Sequence, residues 1–266
     1  MEPNRIARAA DILAVAWRGH TRIDALPEDC RPATAEEGFA IQQALNGLLG
    51  RETAGWKLAH SSPPAMARIG VATPPPGRLF AQTIKETPAV YGPHELHGPR
   101  LEPEFAFLLA RDLVVGDGLC TEDQAAAAVA NLHLAIEIAA SRYLDPKAVG
   151  IPSAIADNMG TGGFIIGPVV DNWRTAKLRS GPVRLLVDGE VDAEQMATDD
   201  RCDPLWVLAE AATNLARHGE TLRAGQYIST GAHITPHPVP LGHVVVADFG
   251  DLGQVQVTLE AQASPI

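Results

Sequence analysis

Two stretches of this chain alternate apolar and polar residues with a period of two, and both set acids among apolar neighbours. In residues 101–109, Leu101, Phe105, Phe107 and Leu109 share one side, and Glu102, Glu104 and Ala106 share the other. In residues 132–139, Leu132, Leu134, Ile136 and Ile138 take one side, and His133, Ala135, Glu137 and Ala139 the other. Period two is the mark of β-strands, whose successive side chains point to opposite faces. The same period puts Glu102 and Glu104 on one side of a strand, about 6 to 7 Å apart along it. Two carboxylates at that spacing can each give an oxygen to one cation, and Glu137 on a second strand can give a third. Oxygen donors of this kind suit a hard divalent ion, Mg²⁺ or Mn²⁺. The competing reading is three solvent-facing glutamates on a half-exposed sheet, which is a common arrangement. Pro103 lies between the first two acids and lacks a ladder donor. The strand should therefore be an edge or irregular one, where sites often lie.

Helical signals flank these strands. Ile6, Ala9, Leu13 and Ala16 recur at helical spacing in residues 1–20. Thr34 and Glu37 have capping-box spacing ahead of Phe39, Ile41 and Leu45, and Gly50 is placed to stop that helix. Residues 61–100 are rich in Pro, Gly and Ser and read as an ordered, functional loop. Thr121 and Gln124 form a second capping box before an alanine-rich helix that runs to about Asn131. Residues 183–191 read as a hairpin turning at Asp188-Gly189. Asp203-Pro204 opens a helix that Gly219 closes. Residues 227–230 read as a strand ending at Gly231, and residues 243–249 pair with 254–259. Strands dominate after residue 100 with helices in front and inserted, which is an α+β pattern. The expected division is a helical region over 1–80, part of the same unit as a metal-binding β domain over 81–266.

The chain has 266 residues, 46% hydrophobic, and a net charge of −11. The charge argues against nucleic acid or an anionic membrane as partner. It does not argue against an anionic substrate, since a bound metal reverses the local field. No apolar run approaches the roughly 20 residues that span a bilayer. Cys30, Cys120 and Cys202 are an odd, widely spaced set, which suggests free thiols in a reducing, cytoplasmic setting.

Other residues are weaker signals. Lys57 lies among Gly55, Trp56 and Leu58, either as a snorkelling surface lysine or as a desolvated proton shuttle. His60 follows it by three residues. Ala156-Asp157-Asn158 precedes Gly160, Gly162 and Gly163, glycines that a simple turn would also explain. No dinucleotide fingerprint, phosphate loop, HExxH or G-x-S-x-G element is present.

Taken in order, Gly-Trp-Lys, Glu-x-Glu, Glu-Ile-x-x-Ser-Arg, Ala-Asp-Asn and Leu-Arg-Ala-Gly-x-x-Ile-x-Thr-Gly resemble one group of enzymes. They are the 2-keto-4-pentenoate and 2-oxohepta-3-ene-1,7-dioate hydratases of the fumarylacetoacetate hydrolase superfamily, to which 4-oxalocrotonate decarboxylase also belongs. The resemblance runs from about residue 35 to 260. It implies a mixed β-roll or sandwich of the superfamily's C-terminal type behind an N-terminal helical region, in homo-oligomers. It implies a Mg²⁺ or Mn²⁺ ion on Glu102, Glu104 and Glu137, and a functional lysine at Lys57. Asp157, Asn158, Thr230 and Gly231 match segments that meet the substrate, a small 2-oxo acid. Association with a decarboxylase or hydratase relative is a further implication.

Three segments depart from the pattern. The family commonly reads Gly-Trp-Lys-Ile-Gly-Leu-Thr where this chain has Ala59, His60 and Ser61. It commonly has an acid where this chain has Ala140, and an apolar or small residue where this chain has His233. His60 is a candidate replacement acid or base. The implied reaction is metal-dependent addition of water to a 2-hydroxy-2,4-dienoate, giving a 4-hydroxy-2-oxo acid. Decarboxylation, C–C hydrolysis of an acylpyruvate, and a non-enzymatic binding subunit are the alternatives.

Overall fold

The computed structural model describes residues 1–116 and 118–261; Asp117 and the end of the 81–266 stretch, residues 262–266, lie outside the described residues. Helices α1 (Pro3–Gly19) and α2 (Ala35–Leu49) open the chain. Thr34 accepts the Glu37 N–H, and the Glu37 carboxylate accepts from Ala33 rather than from Thr34. Gly50, at φ +60°, ends α2 in the left-handed region.

The stretch 1–80 is not helical alone. It supplies β1 (Thr53–Leu58) and, beyond α3 (Pro63–Ile69), β2 (Pro76–Phe80). β3 (Ile84–Glu86) and β4 (Ala89–Tyr91) follow. The segment read as loop over 61–100 thus carries a helix and three strands. Its prolines start elements instead of preventing them. Ser62 caps α3 with Pro63 in its first turn, and Pro76 is the first residue of β2, an outer strand.

Next come β5 (Arg100–Leu109), α4 (Glu122–Ala128) and β6 (Val129–Ala139). The Thr121–Gln124 capping box forms, but the helix stops at Ala128 and the strand begins at β-branched Val129. Then follow α5 (Gly150–Ala156), β7 (Thr161–Val169), β8 (Arg184–Val187), β9 (Glu190–Glu194) and α6 (Pro204–Arg217). The chain closes with β10 (Tyr227–Ser229), β11 (His237–Pro238), β12 (His243–Asp248) and β13 (Gln254–Leu259). The β8–β9 turn has Asp188 and Gly189 at φ +49° and +89°, the geometry a two-residue hairpin favours. β7 is a strand where its glycines suggested a turn. A Cβ on Gly163 would lie 2.6 Å from the Tyr91 hydroxyl, so the glycine serves close packing.

The strands form two mixed sheets. The larger runs β2-β1-β10-β5-β6-β7-β3 with β11 also on β5, and the smaller runs β4-β13-β12-β8-β9. Their facing sides share one apolar core: Phe105, Phe107 and Leu134 from one, Leu185, Val245 and Val255 from the other. Leu79, Ala106, Ala135 and Phe164 cluster on the opposite face of the larger sheet, the face that carries the acids. α1 and α2 build a separate apolar cluster with Trp17, Ile41, Phe80 and Tyr143.

Of the two expectations from Pro103, an edge or an irregular strand, the edge fails: β5 lies inside the sheet, and its register shift falls at Leu108/Leu109, away from the proline. The strand pairs with β6 along its length, and with β10 and β11 on its other side. Neither β10 nor β11 reaches Pro103. The Pro103 carbonyl instead accepts from the His233 N–H in the loop between them, at 2.9 Å. A strand residue's N–H and carbonyl point the same way, so the missing N–H faces this loop and breaks no ladder bond with β6.

An ion pair fastens β6 to the turn after α5. Arg142 Nε donates to Asp157 Oδ1 at 2.6 Å, and the Arg142 N–H and Ser141 hydroxyl donate to Asp157 Oδ2 at 2.9 and 2.8 Å. Arg142 is 5% exposed and Asp157 0%. Removing one partner leaves a buried charge alone, so Asp157→Ala should cost about 3–5 kcal/mol. Urea unfolding measures this, and an unchanged midpoint would contradict the structural role.

Candidate metal centre

Cross-strand register explains how the acids meet. Glu102 sits directly opposite Glu137 in the β5–β6 ladder, and Glu104 is two residues along on the same face. One oxygen from each of the three lies within 4.8 Å of the others. Glu104 and Glu137 are buried and Glu102 is half-buried. The alternation therefore places the acids under protein rather than in solvent.

Lys57 reaches the cluster from β1. The register runs from Lys57 to Ser229 on β10 and on to Ala106 on β5. Its Nζ lies 2.6 Å from Glu137 Oε1, and the side chain is buried. A snorkelling surface role is ruled out by that burial. Burial alone would lower the Lys57 pKa, but Glu137 and then Glu102 outweigh it and the net shift is upward. Lys57 is thus held as an ammonium ion. Gly77 makes room for it: a Cβ there would lie 3.0 Å from Lys57 Cε and 2.6 Å from the Asn158 carbonyl.

Glu104 is held from one side only. Ser229 Oγ and the Gly231 N–H both donate to its Oε2, the latter at 2.9 Å. Its Oε1 is buried and has no hydrogen-bond partner among the described residues. Burial first, then Glu137 and Glu102, push the Glu104 pKa well above the carboxylate range. Burial and Glu137 likewise push Glu102 up to about 8, against the opposing pull of Lys57. Three carboxylates facing one ammonium leave two negative charges when all are ionised. That is the charge of one divalent cation, and Glu104 Oε1 is a free donor for it.

The other expected site residues divide. Thr230 and Gly231 lie beside the acids: Thr230 Oγ1 donates to the Phe105 carbonyl at 2.8 Å, and Gly231 contacts Glu104 directly. Gly231 has φ +104°, and a Cβ on it would fall 1.7 Å from Ser61 Oγ, so glycine is required. The side chains of Asp157 and Asn158 are engaged elsewhere. Asp157 holds Arg142, while Asn158 accepts from the Arg78 N–H at 2.6 Å and donates to the Arg78 carbonyl at 2.9 Å. His60 occupies the turn after β1 at φ +51°, exposed, and makes no side-chain hydrogen bond among the described residues. Although part of its surface is exposed, the protein packed around its ring, and then the charge of Lys57, hold its pKa below the ordinary imidazole value.

Sequence reasoning missed Ser229, although alternation in Tyr227-Ile228-Ser229 sets it opposite Ile228 and on the acids' face. It also missed the support beneath Gly231. His233 is fully buried and its Nδ1 accepts from Arg201 Nε at 2.9 Å. Its Nε2 lies 3.5 Å from Cys202 Sγ, and that sulfur lies 3.5 Å from the Gly231 carbonyl. Burial and Arg201 push the His233 pKa down to about 3, so the ring is neutral. The unusual histidine is a strut for the loop that holds Glu104.

Fold and site together define a class of protein: a mixed α/β chain with a buried tri-carboxylate centre fitted to a divalent cation. No family model matches the chain, but curated relatives match nearly all of it. A 4-oxalocrotonate decarboxylase from a Pseudomonas species is 30% identical over 261 residues, 96% of this chain and 97% of the relative. A 2-keto-4-pentenoate hydratase from Paraburkholderia phymatum is 30% identical over 260 residues, 97% and 98%. Among solved structures, 4-oxalocrotonate decarboxylase from Pseudomonas putida G7, complexed with calcium and acetate, has a TM-score of 0.85 at 25% identity, covering 97% of this chain and 98% of that one. Fumarylpyruvate hydrolase from Pseudomonas aeruginosa, in complex with Mn²⁺ and pyruvate, shares the fold with a TM-score of 0.54 at 18% identity, covering 78% and 89%. The chain belongs to the family of 2-keto-4-pentenoate hydratases and 4-oxalocrotonate decarboxylases and is an enzyme. Among the described residues, no helix is long and apolar enough to cross a membrane.

The raised acids give a pH test. In the metal-free protein Glu102 binds its proton up to about pH 8, against an ordinary 4.5. Between these values the folded state holds more protons than the unfolded one, so stability should fall as pH rises through that window. Added Mg²⁺ or Mn²⁺ should restore stability at the upper end, because an ion that binds only the folded state stabilises it. Thermal unfolding of stripped protein at several pH values checks both effects; a midpoint that ignores pH and metal would refute the cluster's role.

Proposed function

We propose that this protein is a metal-dependent hydratase that adds water to a 2-hydroxy-2,4-dienoate, or to its 2-oxo-alkenoate tautomer, giving a 4-hydroxy-2-oxo acid. The carrying observation is the buried cluster of three converging carboxylates, which leaves two negative charges beside Lys57 when ionised, and the unpartnered Glu104 Oε1. The 30% identity to a hydratase over nearly the full chain supports the reaction class. Glu102, Glu104 and Glu137 would hold the ion. Bound there, Mg²⁺ or Mn²⁺ would supply Lewis acidity at the substrate's C1 carboxylate and C2 oxygen.

The chain supplies the proton chemistry. Lys57 Nζ, kept charged by Glu137, carries the proton that converts the dienol into the 2-oxo-3-enoate. Water then adds across C3–C4, its oxygen to C4 and a hydrogen to C3. Ser229 and Gly231 keep Glu104 aimed while charge redistributes. Thr230 and Gly231 border the substrate, and Asp157 and Asn158 act from behind by holding Arg142 and Arg78. His60, in its exposed turn, is assigned the lesser role of a proton relay at the entrance. The fold is read as a β-roll, with 1–80 and 81–266 acting as one unit in a cytoplasmic homo-oligomer. That assembly, and association with a decarboxylase or hydratase relative, rest on the family resemblance.

A second reading has its own observation: an equally similar relative is a decarboxylase. The same centre would stabilise the enolate charge that reaches the C2 oxygen when the distal carboxylate departs as CO₂, its electron pair passing into the conjugated chain. Product mass separates the two. A gain of one water means hydration, and loss of CO₂ from a dioate means decarboxylation.

Glu104→Gln should lower metal-dependent turnover on the order of 10²–10³-fold. An equal rate with and without metal in the parent enzyme would refute the metal model. Lys57→Met should lower turnover by about 10²–10⁴-fold while metal affinity holds or rises, because a competing cation is gone. Parent-like turnover in that variant would remove Lys57 from the mechanism.

A further inference from the structure

A second cavity, of about 400 Å³, opens between α1, the end of α2 and the β3–β4 region. Neither Lys57 nor any of the three acids lines it. Its wall is cationic in a chain whose net charge is −11. Arg142 and Arg51 both lie over the Trp17 ring, at 3.7 and 5.2 Å from its centroid. The Arg142 charge is matched by Asp157. Arg51 also faces Phe80 at 5.6 Å, and among the described residues it pairs with no carboxylate. His20 and His97, with ring centroids 5.9 Å apart, add two imidazoles to the wall.

No acid in the wall is free to answer this charge. Among the described lining residues the acid is Glu95, which Lys85 holds at 2.8 Å and which also accepts from the Gly92 N–H at 2.6 Å. Two buried ring nitrogens of wall residues lack partners among the described residues: Trp17 Nε1, on a residue only 6% exposed, and His97 Nε2. An oxyanion in the cavity would offer an acceptor to the Trp17 N–H, and to His97 Nε2 in the form that carries a hydrogen there. Burial and the neighbouring Arg142 hold the Arg51 pKa below its ordinary value, a strain that an entering anion would relieve.

We propose that this cavity is a second binding site, for a small oxyanion, either a carboxylate or a phosphate, with Arg51 as its main cation and Trp17 and His97 as donors. The site is separate from the metal centre and does not depend on the reaction assigned there. A guanidinium with free edges and flanking N–H groups is the usual recognition chemistry for such anions.

The test uses metal-stripped, desalted full-length protein. Inorganic phosphate, succinate and chloride are titrated at matched ionic strength while thermal unfolding and calorimetric heat are followed. Saturable stabilisation in the millimolar range by phosphate or by succinate, and not by chloride, supports the site; whichever acts names the anion class. Arg51→Met should weaken that binding at least about tenfold, the loss of one charged hydrogen-bonding partner. Lys57→Met should leave it unchanged. If Arg51→Met does not fold, His97→Phe provides the second variant, with a several-fold weakening expected. The proposal is overturned by no saturable response in the parent protein, or by a response that Arg51→Met and His97→Phe leave intact. It is equally overturned if the parent ignores both oxyanions while Arg51→Met changes the oligomer size by light scattering. That result would make the cavity a contact between copies.

Discussion

The contact between Lys57 and Glu137 organises the molecule's charge. A lysine and a glutamate buried together are costly unless each satisfies the other, and here two further carboxylates press on the same ammonium. Without a cation the balance is kept by protons on Glu102 and Glu104, and with all three acids ionised it takes a divalent ion. The sheet keeps the acids together despite their repulsion because β5 and β6 are locked by a long antiparallel ladder and an apolar core on their far side. Packing thus supports an electrostatic arrangement that would not hold in isolation.

Much of this was legible in the residues. Period-two alternation in β5 and β6 identified the two faces, and the acids' positions in it put Glu102 and Glu104 together. Capping and turn chemistry located α2, α4, α6 and the β8–β9 hairpin, because those signals are local. What alternation did not reveal was which strand is central. Pro103 suggested an edge, and the answer depended on a loop from more than a hundred positions away that approaches just where the proline has nothing to donate. β2 and β7 were missed for a related reason. Their prolines and glycines read as breakers, yet they serve close approach to Lys57, Tyr91 and Ala140 that only the assembled sheet creates.

The three departures from the family pattern turn out to be different in kind. His233 is a buried strut, neutral and fixed between Arg201 and Cys202. His60 is exposed in a turn. Ala140 lies in the wall of the second cavity, beside Arg142, where it offers no counter-charge. One changed residue supports the centre from beneath and another lies on a different surface of the fold, so sequence difference alone is a poor guide to altered chemistry.

Lys57 and Glu137 are 80 positions apart, and Glu104 and Ser229 are 125 apart. The centre is therefore completed late in the chain, after β10 and ahead of the β12–β13 pair. During synthesis the acids emerge early, but nothing clamps Glu104 until β10 has left the ribosome and inserted between β1 and β5. Contacts this remote in sequence form late and slowly. A nascent or truncated chain that ends before residue 231 would carry all three glutamates and Lys57 and still lack the finished cation site. Completion of the acid cluster thereby reports that the chain has folded through β10 and the loop after it.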